Sequence, residues 1–557
     1  MKWACVALFL CAALRVGALD REAFTFNKYD LDVRIEPEQQ RLGVRGKITL
    51  RNDSSSPQRS ISLQISSSLN WSAIKYQNQP VEFVTQQYIS DIDHTGALSE
   101  AIVVLPKPVA PKQSVELEVG YEGVIQQDAT RLTRIGVPED QARHAEWDQI
   151  GRSFTAVRGV GYVAWYPVAM EAVSISEGDK EEQAVARWKL KEADCAMSVT
   201  IRTTSTASIL FSGTPSMFSI AGEEGIKNTR VYEMVRFGAS VPTFIVANYS
   251  EIENKDKFLV VRYLPGQEQA AKEYEDAAEQ LDSAVLIAKR FLNLQILGLP
   301  DPGDDAFVSE GMLLTPLKLP LQNDVVFNIV YARALHSVTS RRLWIKEGLA
   351  HYAQAVIVES LQSRQAALDY LRSREKELAE AEAKADPAHS LMNSGDDTYL
   401  QNKSMYVWWM LRDMVGESVF TSALINYKAA DDNDPAYMQK LIEKESHRDL
   451  QWFFDDWVYH DRGLPDFRIT SVYPNPLPSG GYLVTVTVEN LGTAAAEVPV
   501  TLHGERESTE RLVVPAKSKA SVRIETAAMP QSATVNDGSV PESDTSNNEF
   551  KIESLNH

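Results

Sequence analysis

Short runs of alternating apolar and polar residues dominate the chain from residue 21 to residue 250. Successive side chains of a half-buried β-strand point to opposite faces, so strict alternation predicts strands that bury one face. Turn-forming residues bound these runs, which favours a large antiparallel β region. The clearest predicted strands are 29–35, 44–50, 114–119 and 197–202, with a further one at 243–248.

The hydrophobic spacing becomes that of an amphipathic helix after Pro265. Between residues 266 and 292 the apolar positions that follow this spacing are Tyr274, Ala277, Leu281, Ala284, Val285, Ala288 and Leu292. Helical segments then dominate the chain, with predicted helices at 325–336, 343–384, 404–415, 418–427, 436–445 and 449–461.

Alternation returns after Gly463, Leu464 and Pro465, where the helical pattern ends. The tail alternates at 482–488, 498–502 and 521–524, which predicts a small β-sandwich. The predicted fold class is therefore α+β and multidomain, with the order β, α, β along 557 residues.

The first eighteen residues have the pattern of a secretory signal peptide. Lys2 precedes an apolar run at 3–14, and the small-residue site at 16–18 ends it. No later stretch reaches the ~20 apolar residues that a membrane-spanning helix needs, so no transmembrane segment is predicted. We expect an exported protein that is periplasmic, secreted or bound at the cell surface.

Cysteine usage agrees with a bacterial exported protein. Cys5 and Cys11 fall within the predicted signal peptide, so the mature chain would keep Cys195 and form no intramolecular disulfide. Its stability must then come from packed cores.

The formal net charge is −20, from 56 basic and 76 acidic side chains. Such an acidic chain repels phosphate backbones, so nucleic acid is not expected as a partner. Cationic peptides or proteins would be favoured electrostatically, and the plainer interpretation of the charge is solubility alone.

The segment 331–352, YARALHSVTSRRLWIKEGLAHY, contains part of a zinc-peptidase pattern. In His-Glu-x-x-His the two histidines lie on one helix face as zinc ligands, and the glutamate activates the metal-bound water. His336 occupies the second histidine position, but Ala332 and Arg333 stand where the first histidine and the glutamate are needed. Alanine has no donor atom and a guanidinium does not act as a base, so the pattern predicts a lost zinc site.

This segment and three others together resemble the aminopeptidase N family, the membrane alanyl aminopeptidase-like gluzincins. The four segments are the strand pair KYDLDVRIEPEQQRLGVRGKITLRN at 28–52, Trp-Tyr-Pro at 165–167, RLWIKEGLAHY at 342–352, and LQWFFDDWVYHDRGLPDF at 450–467. The resemblance implies an N-terminal antiparallel β-saddle domain at 21–252 and a thermolysin-like, mainly helical domain at 255–467. The β-sandwich then occupies 468–557.

The tail resembles a CARDB-type adhesion module through its ending VNDGSVPESDTSNNEF. Such modules occur on exported bacterial proteins. One interpretation is that the tail contacts a cell surface or a partner, and the other is that it is a stabilising appendage.

The family resemblance assigns lost roles to four positions. The first zinc histidine falls on Ala332 and the water-activating glutamate on Arg333. The glutamate that holds the substrate's α-amine falls on Leu313, and the transition-state tyrosine falls on Gln401. Without these groups we expect no catalytic residue, no cofactor, and a pseudopeptidase that binds peptide or protein.

Two alternatives remain open for the residues that are left. His336, Glu347 and His351 could form a rearranged zinc site, since Glu347 and His351 are four residues apart and share a helix face. The protein would then be a divergent zinc metallopeptidase. In the other alternative, Arg333 replaces the metal as a counter-charge opposite Glu347.

Overall fold

The alternating pattern at the start of the chain forms a long β-hairpin in the computed structural model of the protein. The structure describes residues 19–178, 180–216, 223–238, 240–282, 294–309, 311–337, 340, 342–384, 389–394 and 397–552; the predicted signal peptide and part of the predicted helix at 266–292 lie outside them. Strands β1 (Phe24–Glu36) and β2 (Arg41–Asn52) pair antiparallel, and alternate residues of β1 are buried, as predicted.

The N-terminal region, residues 24–247, contains three sheets. The predicted strands at 44–50, 114–119 and 197–202 lie within β2, β8 and β10, and β10 runs parallel to β1 in an otherwise antiparallel sheet. The strand orders are β12-β13-β10-β1-β2-β8-β4-β5, β3-β7-β6 and β11-β14-β9. The remaining strands are β3 (Gln58–Ser66), β4 (Leu69–Tyr76), β5 (Gln79–Pro80), β6 (Phe83–Ile89), β7 (Ala97–Val109), β8 (Ser114–Val124), β9 (Phe154–Val157), β10 (Ala196–Thr203), β11 (Ser208–Phe211), β12 (Thr214–Pro215), β13 (Asn228–Met234) and β14 (Phe244–Ala247).

Among the described residues, three α-helices interrupt the N-terminal region, which the alternating pattern did not predict. They are α1 (Thr130–Arg134), α2 (Glu139–Ala145) and α3 (Lys180–Glu192). Helix α3 is anchored by Trp188, whose buried ring lies 6.3 Å from that of Tyr166 and 6.0 Å from that of Phe237. The anchor fixes α3 against the core of the β region.

The central region, residues 250–459, combines a sheet with the predicted helices. Its five strands among the described residues follow the order β15-β16-β17-β19-β18, and the sequence pattern missed them because each is only three to five residues long. They are β15 (Ser250–Asn254), β16 (Leu259–Tyr263), β17 (Leu294–Gly298), β18 (Phe307–Ser309) and β19 (Met312–Thr315).

The helices of the central region occupy the predicted segments with shifted ends. The segment predicted as helical at 343–384 is three helices, and Ser363 caps the second by accepting a hydrogen bond from the Ala366 N–H at 3.1 Å. The helices are α4 (Glu268–Asp282), α5 (Asn323–Ser337), α6 (Leu343–Leu361), α7 (Arg364–Arg372), α8 (Glu375–Lys384), α9 (Asp397–Val415), α10 (Glu417–Asn426), α11 (Tyr437–Ser446) and α12 (Gln451–Phe454), which continues as a π-helical turn at Asp455–Tyr459.

The C-terminal region, residues 467–551, has two sheets ordered β20-β21-β24 and β23-β22-β25-β26. Its strands are β20 (Phe467–Pro476), β21 (Tyr482–Asn490), β22 (Ala496–His503), β23 (Ser508–Val514), β24 (Lys519–Thr526), β25 (Ser532–Val535) and β26 (Glu549–Lys551). The predicted strands at 482–488, 498–502 and 521–524 lie within β21, β22 and β24. An α+β chain of several domains is therefore confirmed.

Hydrophobic packing joins the three regions. One cluster of buried side chains runs from the central helices into the C-terminal sheets, and Trp457 links the two regions by donating its indole N–H to the Ala495 carbonyl at 2.7 Å. A smaller cluster, including Trp147, Ile245 and Leu297, packs the β11-β14-β9 sheet against the central sheet. In the part of the chain that the structure describes, no helix is both long and apolar enough to span a bilayer.

Glu192, at the end of α3, gives the N-terminal region a pH-dependent stability. Burial raises the pKa of its carboxyl from 4.5 to about 8, although Lys191 and the Phe26 N–H oppose the rise. Between those two values the folded protein keeps a proton that the unfolded chain releases, so this residue makes the free energy of unfolding fall as pH rises.

Glu192→Gln should remove that pH dependence. We expect the variant to lose less stability than the wild type across this interval, by up to about 1.4 kcal/mol per pH unit. Chemical denaturation at a series of pH values measures the difference, with the exposed Glu38→Gln as control. Equal pH slopes in the wild type and Glu192→Gln would contradict the expectation.

Trp457→Ala should destabilise the central and C-terminal regions together. Trp457 is fully buried in their shared core, so we expect its removal to lower the free energy of unfolding by about 3–5 kcal/mol. Denaturant unfolding followed by circular dichroism measures the change. Tyr473→Ala, at a side chain that is 63% exposed, should change the stability by less than about 0.5 kcal/mol.

Candidate functional site

Helices α5 and α6 carry the residues of the degenerate zinc-peptidase pattern. Both helices are rich in buried apolar residues, and α6 approaches α9 closely because residue 348 is glycine. A Cβ atom at Gly348 would lie 2.5 Å from the Cβ of Ser404 and 2.8 Å from the indole nitrogen of Trp408. Glu347, the neighbouring residue, is thereby held on a helix packed from both sides.

Glu347 is bound by a tyrosine that the sequence analysis did not single out. The hydroxyl of Tyr331, on α5, donates a short hydrogen bond to Oε2 of Glu347 across the helix pair. The Glu347 side chain is 7% exposed, so this bond satisfies a carboxylate that has little access to water. A signal was present in the sequence, since Tyr331 directly precedes the vacant ligand position 332.

Ala332 and Arg333 follow Tyr331 on the same helix. Ala332 is fully buried among apolar side chains and offers no donor atom. Burial lowers the pKa of Arg333 to about 10, which leaves the guanidinium charged at neutral pH. The contact that the structure shows for the Glu347 carboxylate comes from Tyr331, and the counter-charge from Arg333 stays a hypothesis.

His351 has a different set of neighbours from Glu347. Its Nδ1 lies 3.1 Å from Oε1 of Gln354, which also accepts a hydrogen bond from the Tyr370 hydroxyl at 3.2 Å. The ring of Tyr331, whose hydroxyl binds Glu347, lies 5.0 Å from the imidazole of His351. The side chain of His336, the third predicted ligand, lies outside the described residues.

Two cavities lie next to these groups. The first, which we call the cleft cavity, has a volume of about 350 Å³ and includes Glu347 and Tyr331 in its wall. The second, of about 270 Å³, includes His351 and Gln401. A three-ligand zinc site needs donors that converge on one point. Because the side chain of His336 lies outside the described residues, the rearranged zinc site of His336, Glu347 and His351 stays a prediction.

Another group of potential metal ligands lies elsewhere. Among the residues that the structure describes, His144, Asp301 and Asp304 are the three that bring ligand atoms within 4.8 Å of one another. His144 Nδ1 lies 3.3 Å from Asp304 and 3.8 Å from Asp301, so a protonated imidazole would form ion pairs with both carboxylates. These carboxylates raise the pKa of His144, which favours that ion-paired state.

The other two positions at which the family resemblance implies a lost role are Leu313 and Gln401. Leu313 lies in β19, where it pairs with Ile296 of β17 and is fully buried. Gln401 lies on α9 in the wall of the second cavity. Neither side chain supplies the carboxylate or the phenol that the family resemblance implies at these positions.

The cleft cavity lies between the N-terminal and central regions. Helix α3 and the segment 160–162 form one side, while β18, α5 and α6 form the other. Sequence reasoning missed this role of α3, because the helix itself was not predicted. The residues that line the cleft cavity are Arg131, Val160, Gly161, Tyr162, Glu181, Glu182, Val185, Lys189, Ser240, Val241, Phe307, Val308, Ser309, Tyr331, Leu335 and Glu347.

A buried charge cluster fixes α3 at the edge of the cleft cavity. Arg131 donates to Glu146 at 2.8 Å and to Glu181 at 2.5 Å. Burial raises the pKa of Glu181 to about 7, against the lowering effect of Arg131, and Glu146 and Asp91 raise it further. The positive charge of Arg131 is thus shared between two carboxylates of the protein itself.

Comparisons with known proteins find similarity to solved structures of a zinc metallopeptidase. The chain matches no protein-family model and no curated protein sequence. It is similar to an M1 zinc metallopeptidase from Deinococcus radiodurans, with 15% identity, a TM-score of 0.47, and coverage of 80% of this chain and 95% of that chain.

Two structures of a mutant of the same enzyme give similar values. The mutant bound to a Tyr-Ser-Ala substrate has a TM-score of 0.48, and the second mutant structure has 0.45. Both are 15% identical and cover 80% of this chain and 96% of that chain. At these values no residue role is transferred from that enzyme to this chain.

The Tyr331–Glu347 bond can be measured with a double-mutant cycle. Tyr331→Phe leaves a buried carboxylate without its donor, and Glu347→Gln removes the charge, so the two losses should not add. We expect a coupling of about 1.5–3 kcal/mol in the free energy of unfolding, the range for a hydrogen bond to a charged group. Additive effects of the two substitutions would contradict the contact.

Proposed function

We propose that this protein is an exported, non-catalytic relative of the aminopeptidase-N-like metallopeptidases that binds peptide or protein in its cleft. The observation that carries the proposal is the hydrogen bond from Tyr331 to Glu347, next to Ala332. A carboxylate that would ligate zinc in a working site is held by a phenol, and the neighbouring ligand position has no donor atom. The resemblance of residues 25–467 to the family supplies the relationship.

Absence of hydrolysis follows from the chemistry that is missing. Peptide hydrolysis by this route needs a metal to polarise the amide and a base to activate water. Loss of the base alone costs about 10²–10⁴ in rate, and loss of one transition-state donor costs a few kcal/mol more. Arg333 supplies neither function, and Gln401 lacks the acidic hydroxyl of a tyrosine.

Binding of an extended peptide is supported by an edge strand in the cleft. Strand β18 is the last strand in the order of the central sheet, and Phe307, Val308 and Ser309 line the cleft cavity. An edge strand has backbone groups available to pair with an added strand. Large aromatic residues elsewhere in the central region are buried core and do not contribute to binding: Trp408, Trp409, Phe453, Phe454 and Trp457.

The two ends of the chain support a location and a contact for the proposed protein. The signal-peptide pattern at 1–18 supports export to the periplasm, the cell surface or the medium. The CARDB-like C-terminal region supports a contact with a cell surface or a partner, although its shared core with the central helices also favours a stabilising role. In either role it is part of the folded unit.

Metal content and turnover test the non-catalytic proposal. After dialysis against a chelator and addition of Zn²⁺, we expect less than stoichiometric zinc and no turnover of a fluorogenic aminoacyl panel above background. Glu347→Gln and His351→Ala should have the same metal content as the wild type, since neither residue is proposed as a ligand. Stoichiometric zinc that both substitutions abolish, with chelator-sensitive turnover, would establish the divergent metallopeptidase instead.

Peptide binding is tested separately. A pool of pentapeptides, capped and uncapped, is passed over the immobilised full-length mature protein, and retained peptides are identified by mass. We expect selective retention, which Ser309→Trp in the wall of the cleft cavity should reduce. Retention of no peptide would overturn the binding function and leave the metal result unaffected.

A further inference from the structure

Glu347 is a buried carboxylate in the wall of a cavity, and its charge has no cationic partner in the described part of the protein. The Tyr331 hydroxyl bonds to Oε2, but a phenol is neutral and leaves the negative charge uncompensated. A buried charge of this kind is costly unless it is paired, so an entering cation would gain a favourable interaction there.

The cations that line the same cavity do not fill this role. Arg131 forms ion pairs with Glu146 and Glu181, each at a distance of 2.5 Å. Lys189 also lines the cavity, but the contact that the structure shows for the Glu347 carboxylate among the described residues is the one from Tyr331. The charge of Glu347 is therefore the one in this wall that a positive ligand would pair with.

Ser309 provides an independent sign of a ligand. It lies on β18 in the wall of the cleft cavity and is 2% exposed. Its hydroxyl has no hydrogen-bond partner among the described residues. Buried hydroxyls are nearly always hydrogen-bonded, so a polar group in the cavity would satisfy it.

Part of the wall is apolar and suits a methylene chain. Val160, Val185, Phe307 and Leu335 contribute aliphatic and aromatic surface to the cavity that Glu347 also lines. Lysine carries its charge on a four-carbon stem that packs well along such surface. An amino-terminal ammonium has no such stem.

The remaining carboxylate oxygen distinguishes between the two basic side chains. Tyr331 occupies Oε2 of Glu347, which leaves Oε1 for a ligand. A guanidinium binds a carboxylate best through two parallel hydrogen bonds, whereas an ammonium is a point charge that needs one oxygen.

We propose that the cleft cavity receives the side chain of a lysine from a bound peptide or protein, with Glu347 as the counter-ion of its ammonium group. This inference rests on the proposed binding function and names its ligand class.

Capped pentapeptides that differ at the central position test the proposal by calorimetry. The probe is acetyl-Ala-Ala-Lys-Ala-Ala-amide, compared with its arginine, norleucine and Nε-acetyl-lysine forms. We expect the lysine peptide to bind at least about tenfold more tightly than norleucine or acetyl-lysine, and more tightly than arginine. An uncapped pentaalanine reports the contribution of a free α-amine.

Matched variants test whether the preference for the lysine peptide comes from the Glu347 carboxylate. Glu347→Gln should abolish the difference between the lysine and norleucine peptides. Glu359→Gln, on the same helix but paired with Arg412, should preserve it. Val185→Phe narrows the cavity without touching Glu347 and should weaken the lysine peptide. Circular dichroism and thermal midpoints confirm that each variant is folded.

The outcomes separate the two proposals. Equal binding of the lysine and norleucine peptides would overturn the lysine assignment and leave peptide binding intact. A lysine preference that survives Glu347→Gln would overturn the role of Glu347. Tighter binding of uncapped pentaalanine than of the lysine peptide would assign the site to an α-amine. Binding of none of these peptides or the wider pool would overturn both proposals.

Discussion

The hydrogen bond between Tyr331 and Glu347 is the constraint on which the interpretation of the cleft depends. A carboxylate on a buried helix needs a donor, and in a zinc peptidase the metal would be its partner. Here a neutral hydroxyl from the facing helix satisfies one oxygen and leaves the charge in place. The packed helix pair thus presents a carboxylate that keeps its charge in the wall of the cleft cavity.

The cleft exists because the regions on its two sides are fixed to each other. The cluster around Trp147, Ile245 and Leu297 packs the N-terminal sheets against the central sheet, and Trp188 anchors α3 at the cavity's edge. The ion pairs of Arg131 hold the same edge from a second direction. A ligand would therefore meet a largely preformed space, which limits the entropy lost on binding.

The spacing of hydrophobic residues predicted the strands and helices that bury one face. The strands at 29–35 and 482–488 alternate cleanly because one face is buried, and the long central helices have enough turns to show their spacing. The short strands β17 and β19 are buried on both faces, so they read as plain apolar runs and were missed.

The site was predicted less completely than the fold. Ala332 and Arg333 could be identified as losses from residue type alone. The hydrogen-bond partner of Glu347 could not be predicted, because Tyr331 reaches Glu347 only after two helices pack. The cavity also depends on α3 and β18, which come from different regions and were not predicted from their sequences.

The core that Trp457 shares with β20–β26 has a consequence for how the polypeptide matures. Translation proceeds from the amino terminus, so the helical face around Trp457 emerges before the strands that cover it. Until the C-terminal strands are synthesised, that apolar surface must be shielded by a chaperone or kept unfolded. The central helices can therefore complete their hydrophobic core only after the last strands have been synthesised.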